Sequence, residues 1–273
     1  MNNHFGELGD VWKHLPLAQV LRLRPPRHYW ETHAGAASYE LSASESRLHG
    51  SLRFIALAPS DPDLSHCAYL GALQASPGVY PGSPVLAMRE LGSRASYVLS
   101  DVDSESAETL RQAFAGLDAH VVESDGVSTI GQRILDADVD PADVLVHIDP
   151  FEPHERMTPD ALTPVEVAGM LAASGYRLFY WYGYDQEPRR GWALDEIASL
   201  APGIELWCGD VLMPASLVYP GRVGAWGCGV VLANFTPEES ATCQRLGLAL
   251  ERISETDTVN GNEPARLVFS VLK

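Results

Sequence analysis

The sequence predicts an α/β protein built on a doubly wound, mostly parallel sheet with an antiparallel edge. Three observations carry that prediction. Short apolar runs of strand length alternate with longer segments of helical periodicity through most of the chain. Several of those runs end abruptly in small or acidic residues, as in "THAG", "SDVD", "ESDG" and "HIDP". The length, 273 residues, suffices for one large α/β unit with a sizeable core.

Taken in order, residues 10–23 read as a helix with Val11, Leu15, Ala18 and Leu21 on one face. "HYWETHAG" (28–35) is a strand entering a turn, and 36–79, irregular and rich in Ser, Pro and Ala, reads as a small inserted subdomain. "PGSPVLAMRELG" (81–92) opens a helix behind a proline turn. Strands at 96–102, 119–125, 143–149 and 176–184 then alternate with helices at 104–117, 127–137, 163–174 and 189–200. Strand–helix alternation of this kind implies crossovers and a parallel sheet covered on both faces. Strands at 204–213, 227–235 and 266–272, with a helix near 237–254, supply the antiparallel edge. No internal repeat is visible, so residues 1–273 read as a single domain carrying the 36–79 insertion.

Charge narrows the partners. The 36 acidic and 19 basic residues give a net charge of -17, whereas nucleic-acid binding draws on a basic footprint. The one basic cluster, "LRLRPPRH" with Arg22, Arg24, Arg27 and His28, reads equally well as a solvated helix end. The only lysines are Lys13 and Lys273. The four cysteines (Cys67, Cys208, Cys228, Cys243) have no paired spacing and read as buried free thiols. No apolar run approaches a membrane span and the first ten residues hold no signal-peptide core, so a cytoplasmic protein without membrane contact is expected.

In a doubly wound sheet the ligand lies across the carboxyl ends of the strands, near the switch in strand order. The sequence places His33 and Gly35 after the first such strand, Asp101 and Asp103 after the second, Asp125-Gly126 after the third and Asp149-Pro150 after the fourth. A small residue in the first turn lets backbone amides approach a ligand. A carboxylate after the second strand can accept both ribose hydroxyls, and an Asp-Gly after the third can meet an adenine edge. This is a nucleoside-cofactor constellation. A nicotinamide dinucleotide would call for a GxGxxG turn, but "HAGAAS" holds one glycine. S-adenosylmethionine has no phosphate to cradle, and its sulfonium is not opposed by an acidic protein.

Longer motifs sharpen this. "HFGELGDVWKH" (4–14) is similar to a HAGNxADVLKH opening, matching at His4, Gly6, Asp10, Val11, Lys13 and His14. "ETHAG" (31–35) resembles DTHAG, and YPGSP stands intact at 80–84. "DVD" (101–103) takes the place of ELH, Asp125-Gly126 matches DG, and "GCGVVLANF" echoes SGM…NPPW. In this order, through nearly the whole chain, the motifs resemble the RlmJ family, S-adenosylmethionine-dependent methyltransferases that modify an adenine N6 of 23S ribosomal RNA. The resemblance implies the Rossmann-like fold of class I methyltransferases. It implies that Lys13 and His14 sit over the cofactor from the N-terminal helix. His33, Gly35, Ser83, Asp101, Asp125 and Gly126 would hold its methionine, ribose and adenine parts, and Asp149 would be the catalytic acid beside it. Singly, His33 would be a satisfied core histidine, Ser83 a helix N-cap and the Lys-His pair surface decoration.

The family's fourth strand ends in DPPY, where Asp and a backbone carbonyl accept the hydrogens of an exocyclic amine and the aromatic ring stacks on a flipped base. This chain reads "DPFE", keeping Asp149 and an aromatic, Phe151, at altered spacing. NPPW is reduced to "ANF" (233–235). These departures and the acidic balance favour a small-molecule nitrogen acceptor, held by Asp149 and Phe151, over RNA. Two alternatives stay open. One is ribosomal RNA methylation with the insertion and the arginine cluster as contacts, and the other is a catalytically silent module that binds cofactor and partners. The aromatic run "FYWYGY" (179–184) either walls the acceptor pocket or packs as a buried central strand.

Overall fold

The N-terminal helix α1 (Leu8–Leu23) is buried on nearly all sides, which explains its weak amphipathic pattern. Trp12 fixes it: the fully buried indole donates to the Gly209 carbonyl at 2.8 Å. The helix begins two residues before the expected start, because the Glu7 amide is taken up by the Asp10 carboxylate at 3.3 Å. The computed structural model describes residues 5–136, 138–185, 187–215, 225–254 and 265–273. His4 of the opening motif lies outside them.

After α1 come β1 (His28–Glu31), β2 (Ser38–Glu40), α2 (Glu45–His49), α3 (Ser51–Leu57), α4 (Ala68–Ala75), β3 (Val79–Pro81) and α5 (Ser83–Leu91). The alternating part runs β4 (Ser96–Asp101), α6 (Ser104–Ala113), β5 (Ala119–Glu123), α7 (Gly126–Asp136), β6 (Val144–Ile148), α8 (Pro164–Ala173), β7 (Arg177–Tyr184) and α9 (Glu187–Leu200). The chain closes with β8 (Leu206–Pro214), β9 (Ala225–Ala233), α10 (Pro237–Ser254) and β10 (Arg266–Leu272). Strand β1 is shorter than the expected 28–35 because Thr32–Gly35 turns across its neighbours. The Thr32 amide donates to the His147 carbonyl (3.2 Å) and the Ala34 amide to that of Ser100 (2.9 Å).

Eight strands form one sheet in the order β10-β8-β9-β7-β6-β1-β4-β5. Strands β7, β6, β1, β4 and β5 are mutually parallel, and β9, β8 and β10 add antiparallel pairs. This is the expected doubly wound, mostly parallel sheet with an antiparallel edge. The period of two along each strand sends alternate residues to opposite layers. Tyr29, Tyr97, Leu99, Leu145 and Phe179 join α1, α4, α5 and α10 in one core, and Trp30, Val98, Val146, Ile148, Leu178 and Tyr180 join α7, α8 and α9 in the other. The segment holding the two-stranded β2–β3 sheet runs to Pro81, two residues past the expected 36–79, and its Phe54, Leu64, Tyr69 and Leu70 enter the α1 core. Between adjacent β1 and β6 the chain reverses direction across the sheet, the switch point above which ligands bind.

The four cysteines are free and buried. Among the described residues, no helix is long and apolar enough to cross a membrane.

Candidate functional site

The carboxyl end of β6 delivers Asp149 to the switch point, and α1 delivers Lys13 to Asp149. Lys13 Nζ lies 2.6 Å from Asp149 Oδ2 and 3.1 Å from Asp10 Oδ1, and both Lys13 and Asp149 side chains are less than one-fifth exposed. Burial pushes the Asp149 carboxyl up, but the Lys13 charge and hydrogen bond, helped by His147 and His33, bring it below its usual value. Burial likewise pushes Lys13 down, and the two carboxylates more than reverse it. Asp10 lies above its usual value because burial and the Asp149 charge outweigh Lys13. At neutral pH Asp149 is therefore an ionised hydrogen-bond acceptor held in place, and a poor proton acceptor.

His14, one residue on, points away from that pair. Its Nδ1 lies 2.8 Å from the Tyr80 hydroxyl, which also receives a 3.1 Å bond from Tyr69. Burial first, then the neighbouring Lys13 charge, keeps His14 well below its usual value, so it is neutral. Ser83 is the first residue of α5, following the N-cap Gly82, and its hydroxyl is committed to Glu31 Oε1 at 2.5 Å. Glu31 is fully buried and also contacts Tyr29 (2.8 Å) and His147 Nδ1 (2.8 Å). Ser83 thus anchors the YPGSP turn to the first strand and meets the cavity with its edge.

The turn after β1 requires glycine at Gly35, whose φ is +61° and where a Cβ would lie 2.7 Å from the Tyr39 hydroxyl. Its amide donates to Asp101 Oδ2 at 2.7 Å, while the Asp103 amide donates to Asp101 Oδ1 at 2.9 Å. Asp103 itself caps α6, accepting from the Ser106 amide at 3.0 Å. Asp125 caps α7, accepting the Val127 and Ser128 amides at 3.1 Å each. At Gly126 a Cβ would fall 1.9 Å from the Thr32 carbonyl oxygen, so only glycine lets α7 approach the first turn this closely.

Three recesses meet here. The largest, about 720 Å³, is lined by Lys13, His14, His33, Gly35, Ser83, Asp101 and Asp149 among others. A second, about 380 Å³, continues past His33, Asp101 and Val102 to Asp125 and Gly126. A third, about 450 Å³, lies beyond Phe151 and is lined by aromatic side chains of β7, α9 and β9. Phe151 borders all three but is 84% exposed, on the crest between them.

All the residues singled out by sequence therefore converge on one cleft, with individual differences. Lys13, His33, Gly35, Asp101, Gly126 and Asp149 line it, His14 and Ser83 line it with polar atoms engaged by Tyr80 and Glu31, and Asp125 is occupied as a helix cap. Asp10, Glu31, Tyr80, Trp192 and Trp226 had no assigned role, whereas Trp181 and Tyr184 beside Phe151 belong to the aromatic run 179–184 offered as a pocket wall. Glu31 is the residue a closer reading could have found, since an acid at the end of a buried strand needs partners. The arginine cluster lies at the opposite end of the sheet. Arg22 pairs with Glu90 (2.9 Å), Arg24 faces Glu239 (4.0 Å) and Arg27 faces Asp143 (3.9 Å), just before the strand that Asp149 follows.

No family model matches the chain, and no curated protein matches it at a significant level. Among solved structures, a Legionella pneumophila protein assigned to the DUF519 family superposes with a TM-score of 0.71, covering 98% of each chain at 20% identity. A probable spermidine synthase from Corynebacterium glutamicum covers 69% of this chain and 63% of its own, at 16% identity and a TM-score of 0.38. The first likeness is one of fold over the whole chain; the second is too loose to argue from.

Proposed function

We propose that the protein is an S-adenosylmethionine-dependent N-methyltransferase, similar to the RlmJ family, acting on the nitrogen of a small molecule. The observation that carries this reading is the Lys13–Asp149 pair at the switch point, 2.6 Å apart at the mouth of a nucleoside-sized cleft. The cleft suits the cofactor: its main recess lies within the roughly 300–1,000 Å³ typical of ligand sites. Asp101 offers a carboxylate on the wall shared by both recesses, where a ribose diol would lie. Asp125 and Gly126 line the second recess, where a planar base could pack.

When bound, S-adenosylmethionine supplies an electrophilic methyl group whose bonding pair leaves with sulfur as a neutral thioether. The chain's contribution is position and charge. Asp149 Oδ2 is engaged by Lys13, leaving Oδ1 to accept an N–H of the acceptor amine, which turns the nitrogen lone pair toward the methyl carbon. As the N–C bond forms, the proton shed by nitrogen passes to water, because Asp149 sits below its usual carboxylate range. His14, neutral and tied to Tyr80, keeps that wall of the cleft uncharged beside the sulfonium.

A small acceptor is favoured over ribosomal RNA by the net charge of -17 and by the placement of the arginine cluster, each arginine facing a carboxylate at the far end of the sheet. The test is methyl transfer to a panel of amines, adenine nucleosides and 23S RNA. Asp149→Asn should keep fold and cofactor affinity and lose about 100- to 1000-fold in rate, because the amide removes an acceptor and adds a donor. Equal rates in variant and wild type would end the amine-orienting mechanism. Methylation of RNA alone would move the acceptor to the family's own substrate, and cofactor binding without transfer to any acceptor would make the protein a silent binding module.

A further inference from the structure

The recess beyond Phe151 is unlike the rest of the cleft. Trp181 of β7, Trp192 of α9 and Trp226 of β9, half the tryptophans of the chain, line it with Tyr184 and Phe151. Trp181 and Trp226 lie with ring centroids 6.4 Å apart and planes inclined by 38°. They can stand so close to the strand only because residue 183 is glycine. A Cβ there would lie 2.9 Å from Trp226 and 3.2 Å from Trp181. Trp192 is 62% exposed at the rim, a large apolar surface left in water.

The charged side chains that line this recess are mainly acidic. Glu152 and Asp185 line the recess, and His154, its one basic lining residue among those described, is engaged by Glu196 at 2.9 Å. The Trp181 ring already faces a cation on one side: Lys13 Nζ lies 5.4 Å from its centroid. Aromatic faces attract cations through their quadrupole, more strongly when the cation is desolvated. A phosphate-bearing ligand would meet carboxylates and π-faces, which both repel it.

We propose that this recess is the acceptor subsite and that it binds a compact organic cation, the alkylammonium portion of the acceptor, against Trp181, Trp192 and Trp226. Phe151 separates this subsite from the cofactor cleft, so the cationic portion lies on one side of its ring and the reacting amine reaches Asp149 on the other. The inference rests on the methyltransferase reading for what the subsite is for, and not for what it binds.

The full chain is titrated with tetramethylammonium chloride, with tert-butanol as the neutral isostere and adenosine as the neutral planar ligand, at constant ionic strength. Tryptophan fluorescence is the readout, and S-adenosylmethionine binding is followed separately by calorimetry. The expected result is saturable binding of tetramethylammonium, at least tenfold tighter than tert-butanol and tighter than adenosine. Trp192→Ala should weaken it several-fold without changing S-adenosylmethionine affinity, and Glu152→Gln, at the border with the second recess, should weaken it as well; Trp192 and Glu152 are both exposed, so both variants should fold. No saturable response, equal affinity for tert-butanol, or tighter adenosine binding overturns the proposal. If the cation binds while S-adenosylmethionine does not, the methyltransferase reading falls and the cation site stands. If only S-adenosylmethionine binds, the reverse holds.

Discussion

Replacing Lys13 with methionine isolates the centre of the site. The side chain keeps its length and loses the charge that faces Asp149 at 2.6 Å and Asp10 at 3.1 Å. At an effective dielectric constant of about 20, a unit pair at the shorter distance attracts by roughly 6 kcal/mol. Desolvation offsets much of this, and breaking a buried pair by removing one partner costs about 3–5 kcal/mol. At about 2–4 °C per kcal/mol for a chain near this size, Lys13→Met should melt some 6–20 °C below wild type at neutral pH. In the wild type Asp149 lies below its usual value. Its contribution is therefore present above the unfolded value, about 3.9, and lost as pH falls through the lower folded one. In the variant burial acts on Asp149 with only His147 and His33 against it and raises it, as burial already raises Asp10. The carboxyl then favours the folded state below about pH 4 and disfavours it as pH rises through the raised value. The gap between the two proteins should thus open from about pH 4 upward. Thermal unfolding by circular dichroism between pH 4.5 and 7.5 measures it. A gap that stays constant with pH, or a drop below about 2 °C, would refute the reasoning. Adding Asp149→Asn to Lys13→Met should recover part of the loss, since no uncompensated charge then remains on that residue.

Other residues separate binding from stability. Asp101→Ala should weaken S-adenosylmethionine binding by about 10- to 100-fold in calorimetry, the worth of hydrogen bonds to a charged group. Asp103→Ala should leave affinity intact and lower the melting temperature through its lost cap on α6. Gly126→Ala should force α7 away from Thr32, costing at least about 1–3 kcal/mol in urea unfolding together with cofactor affinity; unchanged values would mean the approach is not needed. Arg177, 1% exposed and paired with the equally buried Glu239, should lose about 3–5 kcal/mol of stability as Arg177→Met with no change in ligand binding.

What the sequence revealed and what it hid follow from the range of the forces involved. The run Val144 to Ile148 is apolar at every position but His147 because the strand is covered on both faces, so β6 was legible locally. So was Gly35, where glycine answers a local steric demand; Gly126 answers one from Thr32, far off in sequence. Lys13 was harder. A lysine on a helix ordinarily marks solvent, and Asp10 makes its burial tolerable only together with Asp149, 136 positions away in sequence. Phe151 was expected to stack, but its orientation depends on the backbone path after a single proline, and the ring stands exposed. The order of the strands at the antiparallel edge is likewise absent from local patterns. Nothing in β9 announces that it belongs between two strands that precede it.

That placement of β9 bears on how the chain acquires its structure. Strands β7 and β8 are neighbours in sequence, yet neither pairs with the other; both pair along nearly their whole length with β9. Until residue 233 has been synthesised, β7 therefore offers a free edge of aromatic side chains, the kind of surface that templates aggregation. The contacts that cover it are non-local, which slows their formation. A ribosome-bound or truncated chain ending after α9 should thus depend on chaperones far more than one ending after β9. Because Trp181 and Gly183 lie on that same edge, the aromatic wall beside Asp149 is also among the last parts of the molecule to be completed.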